Sequence, residues 1–188
     1  MKKQRGQIVI DKILDTAERL FYSQGYSNTG INQVIEESDI AKASLYKHFQ
    51  SKSDLLLAYL QRAHFRWLDR LENAINSESD PKKKLLIIFD HHIERQELRN
   101  HGGCPFIKAN NEAGFNEPLA LTEIQQTKKN LKKLLKKLVL ESGHKKILSD
   151  DELTETIFLL VEGAVVEASI FKQTNDLQSA KKIIKKFL

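Results

Sequence analysis

The sequence has one cysteine, three prolines and eight glycines among its 188 residues. A single cysteine excludes a disulfide framework and a zinc site built from several cysteines. Few prolines and glycines leave few breaks, so we expect long uninterrupted elements. No window approaches the roughly 20 apolar residues that cross a bilayer. Charged residues between Asp11 and Arg19 also interrupt any signal-peptide core, and the sequence predicts a cytoplasmic protein with no membrane partner.

Hydrophobic residues make up 40% of the chain and charged residues 29%, a composition typical of globular proteins that bury a core. The formal net charge of +5 is unevenly distributed, because lysines crowd into residues 1–5, 128–137 and 181–186. Such runs suit nucleic acid, an anionic membrane surface or a merely solvated helix face. Charge alone does not choose among these three.

Apolar residues recur at steps of three and four in several segments, which predicts amphipathic helices. The first covers residues 8–23, a long one begins at Ser51, and another of about twenty-five residues follows Pro118. No stretch alternates with period two, so no strand is expected. The predicted fold class is all-α with about nine helices.

Start and stop signals support these helices. Ser51 and Ser149 precede acidic residues three positions on, the pattern of an N-terminal cap. Asp80 followed by Pro81 is a second kind of helix start. Gly25 follows the first helix, where a left-handed residue ends it, and Thr29 is available to cap the second.

Two short helices follow the first, one around Ile31–Ile35 and one over residues 41–49, with a break at Ser38-Asp39. A longer helix followed by two short ones joined by a tight turn is the layout of a helix-turn-helix unit that binds DNA. Leu45 and Phe49 are four apart and predicted to face inward, which leaves polar and small residues for base edges.

Residues 10–60 resemble the amino-terminal domain of the TetR family of bacterial transcriptional repressors. A Gly-Tyr corner, a hydrophobic pair and the pattern L-Y-x-x-F followed by lysine carry the resemblance. The matching residues are Ala17, Leu20, Phe21, Gly25, Tyr26, Ile31, Val34, Ile40, Ser44, Leu45, Tyr46, Phe49, Lys52 and Leu55.

The resemblance implies a DNA-binding domain in residues 1–50 and a helical ligand-binding and dimerisation domain in residues 51–188. The resemblance implies that the Tyr46 hydroxyl binds a phosphate. Lys52 adds positive charge at the start of a helix, a position that attracts phosphate. Lys2, Lys3 and Arg5 are a candidate basic arm. The predicted DNA-contacting residues are Thr29, Lys42, Ala43, Ser44, Tyr46, Lys47, His48 and Lys52.

Three positions depart from the family pattern. Asp39 replaces the usual glycine of the turn, Ala41 the usual Ser or Thr cap, and Ala43 the usual glycine. Asp tolerates the left-handed conformation, so the turn is expected to form. The departures bear on operator contacts rather than on the fold.

The resemblance also implies a homodimer that responds to a small molecule and needs no cofactor. Apolar-pocket candidates are His64, Trp67, Phe89, His92, Phe106 and Phe115, each of which is individually as well explained as core. The small residues Gly163, Ala164 and Ala168, with Ser169, are candidates for a dimer interface, the alternative being packing within one chain. Cys104 is either a reactive sensor or an inert thiol.

Two other classes of function remain as alternatives. An enzyme or metal site would have to use His91, His92, Glu94, His101 and Cys104, but adjacent histidines diverge on a helix and no recognised ligand spacing is present. No nucleophile elbow, phosphate loop or dinucleotide fingerprint occurs either. A helical module that binds membrane surfaces or protein partners rests on the lysine-rich segments.

Overall fold

The computed structural model describes residues 2–188, with side chains from Gly6 onward. This range contains nine helices and no strand, which confirms the all-α prediction. The helices are α1 (Lys2–Ser23), α2 (Ile31–Ser38), α3 (Lys42–His48), α4 (Lys52–Asn76), α5 (Pro81–Leu98), α6 (Pro105–Ala113), α7 (Pro118–Ser142), α8 (Asp150–Phe171) and α9 (Asn175–Lys185). Within the described range, none of them is both long and apolar enough to traverse a bilayer.

The chain forms two compact units that are not continuous in sequence. The first contains the residues up to His64 together with Pro105–Gln125, and the second contains Phe65–Cys104 and Gln126–Leu188. The chain therefore passes between units three times, within α4, before α6 and within α7. This division differs from the predicted functional boundary after residue 50, which depends on where DNA and ligand bind and stays a prediction.

In the first unit, α2 and α3 pack against α1. The inward residues of these helices are fully or nearly fully buried, and Leu45 of α3 and Phe49 at its C-terminal cap are among them, as predicted. The ring of Phe21 contacts those of Tyr26 and Tyr59 edge-on, with centroids 5.3 and 5.8 Å apart. Burial of these aromatic rings stabilises the junction of α1 with α4.

The second unit has an apolar core contributed by α4, α5, α7, α8 and α9. In this unit, α8 packs against α9, and α5 contacts both of them. Large residues such as Leu71, Phe89, Leu135 and Ile157 have no exposed surface in this core. Each buried side chain of this size contributes roughly 1.5–3 kcal/mol to folding.

Most predicted helix ends are confirmed. The Asp80 side chain accepts from the Lys82 amide with Pro81 in the first turn, and Ser149 and Glu152 form both bonds of a capping box. Ser51 accepts from the Asp54 amide at 3.0 Å. Gly25 and Gly143 have φ values of +93° and +57°, the left-handed conformation that ends α1 and α7.

Three boundaries differ from the prediction. α1 begins at Lys2 rather than near residue 8, because the polar segment before Ile8 continues the helix without an apolar pattern to reveal it. α2 is capped by Gly30 with no side-chain bond, so the prediction that Thr29 caps it is wrong. α9 begins at Asn175, one residue before Asp176, where the sequence predicts the last helix to open.

Candidate nucleic-acid interface

The outward face of α3 carries most of the predicted DNA contacts. Burial of Leu45 and Phe49 fixes the rotation of the helix. Residues four apart share one helical face, so the residues between these two turn outward. Lys42, Ala43, Tyr46 and Lys47 are exposed, and Ser44 and His48 are half-buried.

The turn between α2 and α3 keeps its geometry without a glycine. Asp39 has φ 52° and ψ 46°, the left-handed conformation that this turn requires at the position where the family usually has glycine. Its amide donates to the carbonyl oxygens of Glu36 and Ile35, which ends α2. Ala41 caps α3 without a side-chain hydrogen bond, as expected for an alanine in place of Ser or Thr.

Lys52, at the start of α4, is held beside two carboxylates. Its Nζ lies 4.1 Å from the centre of the Tyr26 ring. The Tyr26 hydroxyl donates to Oε1 of Glu117 at 2.5 Å, and the Ser53 hydroxyl donates to the same oxygen at 2.9 Å. Burial lowers the pKa of Lys52, while the charges of Glu117 and Glu112 act in the opposite direction.

Tyr26 itself is locked in place by this contact. Burial and the hydrogen bond to Glu117 raise the pKa of Tyr26 to about 12. The hydroxyl is therefore protonated and donates at any physiological pH. The second residue of the Gly-Tyr corner thus fixes the position of Lys52 through ring and carboxylate together.

The loop before α2 is tied to α6. Oε2 of Glu112 accepts from the Ser27 amide at 2.9 Å, and a Cβ on Gly25 would lie 2.7 Å from the same carboxylate. Lys108 donates to the Tyr22 carbonyl oxygen at 2.6 Å and lies over the Tyr22 ring. Sequence reasoning missed these carboxylates, because 85 residues separate Ser27 from Glu112 and no local pattern links them.

Thr29 occupies a different position from the other predicted contacts. Only 1% of its surface is exposed. Its hydroxyl donates to the Gly25 carbonyl oxygen at 2.7 Å and accepts from Nε2 of Gln24 at 3.2 Å. The side chain closes the loop between α1 and α2 internally.

The candidate basic arm lies partly beyond what the structure shows. The backbone from Lys2 onward is helical. The side chains of Lys2, Lys3 and Arg5 lie outside the described residues, so their contact with DNA stays a prediction.

The pocket candidates divide between the two units. In the first unit, Nδ1 of His64 lies 2.9 Å from Oε1 of Glu123, and the His64 ring meets that of Phe106 edge-on at 6.5 Å. In the second unit, Trp67, Phe89 and His92 are buried. Phe115 is fully exposed, so its assignment to an apolar pocket is wrong.

The dimer candidates also divide. Ala164 and Ala168 are 8% and 0% exposed and belong to the apolar core of the second unit. Packing within one chain therefore accounts for the burial of these two residues, and their part in a dimer interface stays a prediction. Gly163 is exposed, and an added Cβ there would meet nothing within 4 Å.

The lysine run of α7 has two faces. On one face Lys128, Lys132 and Lys136 pair with Glu162, Glu155 and Asp151 of α8 at 2.6–2.8 Å. On the other face Lys129, Lys133 and Lys137 are exposed. Half of the run thus joins two helices, which weakens the membrane-surface alternative. Cys104 is half-buried in the same unit, with Lys128 Nζ 3.9 Å from its sulfur.

No group of three or more metal-ligating side chains comes together in the part of the chain that the structure describes. His91 and His92 lie beside each other on α5 with ring centres 6.2 Å apart. The Trp67 ring lies 6.2 Å from each of them. These rings form a compact aromatic cluster on α4 and α5.

Comparison with known proteins supports the reading of residues 10–60. A family model described as bacterial regulatory proteins of the tetR family matches residues 13–59. An uncharacterized HTH-type transcriptional regulator in the lacX 3' region of Lactococcus lactis subsp. lactis is 31% identical over 100 residues, which cover 50% of each chain. The matched segment thus spans about half the length of this curated relative.

Other likenesses extend along the whole chain. The biofilm operon icaADBC HTH-type negative transcriptional regulator IcaR of Staphylococcus aureus (strain Newman) is 26% identical over 175 residues, covering 91% of this chain and 90% of IcaR. A TetR transcriptional regulator from Chloroflexus aurantiacus J-10-FL shares the fold with a TM-score of 0.86 at 22% identity, over 98% of this chain and 96% of that one. The reduced form of Escherichia coli NemR does so with a TM-score of 0.82 at 20% identity, over 95% and 96%. Residues 13–59 thus match the tetR family of bacterial regulatory proteins, and the chain as a whole shares the fold of solved TetR regulators.

Proposed function

We propose that this protein is a homodimeric repressor that binds a palindromic operator and is released from it by a small molecule. The observation that carries the proposal is the outward face of α3, which presents lysines, small side chains and a tyrosine hydroxyl on a rigidly packed helix. Arrays of this kind bind base edges in the major groove. A regulator of chromosomal DNA acts in the bacterial cytoplasm.

Each proposed contact has a separate task. Lys42, Lys47, Ser44 and His48 supply donors for base edges and nearby phosphates, and Ala43 permits close approach. The Tyr46 hydroxyl and the Lys52 ammonium bind phosphates. We assign Thr29 a positioning task, because its buried hydroxyl closes the loop that orients α2.

Dimerisation is proposed through the exposed face of α8. Leu159, Gly163, Val166 and Ile170 are spaced four, three and four apart, so they share one face. The three apolar side chains are 38–60% exposed in the single chain. An apolar stripe of this kind suits a second copy of the same helix, and a two-fold dimer matches a palindromic operator.

Release by a small molecule follows from linkage. A ligand that binds more tightly to one arrangement of the dimer shifts the population towards it, and an arrangement with the wrong separation of α3 helices loses operator affinity.

The experiment is selection of bound sequences from a random duplex pool by the purified protein at near-physiological salt. A recovered palindrome is the expected result. Its affinity is then measured with the parent, with Lys47→Ala and with Lys133→Ala, which removes an exposed lysine of α7. Lys47→Ala should weaken binding at least tenfold and Lys133→Ala should not.

Three outcomes would contradict the proposal in different places. A pool without a motif removes sequence-specific binding. Equal losses of operator affinity in Lys47→Ala and Lys133→Ala would show that DNA is bound only by non-specific charge attraction. If light scattering shows that the Ile170→Glu variant is still a dimer, and this variant still binds the operator, the dimer interface is not on the exposed face of α8.

A further inference from the structure

The Trp67–His91–His92 cluster holds three buried ring nitrogens whose hydrogen-bonding capacity is unused. Nε1 of Trp67 and Nε2 of both histidines have no hydrogen-bond partner among the described residues. All three side chains are more than nine-tenths buried. An unsatisfied buried polar group destabilises the folded state, so three in one cluster need a physical explanation.

The charges around the cluster are positive. Arg95 of α5, Arg70 of α4 and Lys128 of α7 act on the histidines, and the histidines act on each other. Burial, followed by Arg95 and Arg70, lowers the pKa of His91 to about 4. Burial lowers the pKa of His92 well below its usual value, again with Arg95 next. Both rings are therefore neutral at pH 7.

Of these cations, Lys128 pairs with the carboxylate of Glu162 at 2.6 Å. No carboxylate of the described chain bonds to the three ring nitrogens. Trp67 is at the same time part of an apolar core with Leu71 and Phe89. The cluster combines unused donors, local positive charge and apolar walls.

We propose that this cluster binds a hydrophobic monocarboxylate and that binding draws one proton from solvent onto His91 or His92. This identification rests on the proposed function, because it makes the cluster the effector site of the repressor. The carboxylate accepts from the Trp67 N–H and from a protonated imidazole. Since the bound anion favours the charged ring, it raises the histidine pKa that burial had lowered.

The uptake of a proton has a measurable consequence. Protons bound with the ligand make its affinity fall as pH rises. Between the low pKa of the histidine in the free protein, about 4 for His91, and its higher pKa in the complex, the Kd should increase by about tenfold per pH unit, the slope for one proton. A site that only shields an apolar ligand would show no such slope.

Trp67 provides the measurement, since it is the one tryptophan of the chain. We would titrate the full-length protein with cyclohexanecarboxylate and with cyclohexanecarboxamide, its neutral counterpart of nearly the same shape, and follow tryptophan fluorescence between pH 5.5 and 8. The carboxylate should change the emission and bind at least tenfold more tightly than the amide at pH 6. The variants His91→Gln and His92→Gln identify which ring takes the proton.

Several results would overturn the proposal. Equal affinity for the carboxylate and the amide would show that the site does not select an anion. A Kd that does not change with pH would show that no proton is taken up on binding. Absence of any fluorescence change with both probes would remove the site itself. None of these comparisons needs a variant to fold, because all use the parent protein.

The test also separates this inference from the proposed function. Operator binding is measured in the same samples without probe. Specific DNA binding without carboxylate binding would reject the ligand class and leave the repressor intact. Carboxylate binding by a protein that selects no DNA motif would reject the repressor function and leave the carboxylate site in place.

Discussion

The hydroxyl of Tyr26 donates to Glu117, 91 residues later in the chain, at 2.5 Å. The same carboxylate oxygen accepts from Ser53, in the first turn of α4. One glutamate therefore joins the loop after α1 to the start of α4, where Lys52 is proposed to bind phosphate. The position of that lysine depends on a residue from the segment between α6 and α7.

Tyr26→Phe is expected to lower the free energy of unfolding by about 1–2 kcal/mol, because it removes a hydrogen bond to a charged acceptor. Tyr46→Phe is the matched control, since Tyr46 is exposed on α3. That variant should keep the stability of the parent and weaken operator binding. Urea unfolding and operator titration of both variants test the contrast, and equal effects of the two on stability would contradict it.

Gly25→Ala should destabilise the protein more than Gly143→Ala. Both glycines have positive φ, which costs an alanine about 1–2 kcal/mol. At Gly25 the added Cβ would also lie 2.7 Å from the Glu112 carboxylate, whereas at Gly143 it would meet nothing within 4 Å. Thermal unfolding gives the two differences. If Glu112→Ala in the Gly25→Ala background fails to recover part of the loss, the clash is not its cause.

Lys52→Ala should weaken operator binding with little change in sequence preference. Each phosphate contact contributes about 0.9 to the slope of log affinity against log salt, so the slope should decrease by about one per protomer. Titrations between 50 and 200 mM salt, roughly the range over which such contacts are resolved, measure it. Lys129→Ala, on the exposed face of α7, is the control. An unchanged slope in Lys52→Ala would remove this phosphate contact.

Stability should decrease as the pH falls from about 6.5 towards 4. In this window an unfolded histidine takes up a proton, while burial keeps folded His91 neutral until the pH nears its pKa of about 4. Each unit of such a shift corresponds to about 1.4 kcal/mol. Denaturant unfolding at pH 7.5 and pH 5.5 measures the loss. His91→Gln should flatten the profile, and a parent profile that is flat over this interval would contradict burial of a neutral ring.

The sequence predicted the local features of the fold well. Helix starts at Asp80 and Ser149 depend on side chains within three residues of the amides that they cap. The inward rotation of Leu45 and Phe49 follows from a spacing of four on a short helix. Such signals are contained within one turn, so they can be recognised without knowledge of the tertiary contacts.

Contacts between distant segments were not predictable in this way. Glu112 and Glu117 look like ordinary solvated acids in the sequence, and only the folded chain brings them to Ser27 and Tyr26. The orientation of the small residues of α8 was not predictable for a different reason. This helix is apolar around most of its circumference, so periodicity did not show that Ala168 faces the core and Ile170 faces outward.

The three passages of the chain between its compact units have a consequence for protein engineering. A fusion that transplants only residues 1–64 onto another sensor would carry Tyr26 without Glu117 and the Ser27 amide without Glu112. The donor fragment would lack the second segment of its own compact unit, residues 105–125. A fusion that keeps both contacts therefore has to combine residues 1–64 with residues 105–125.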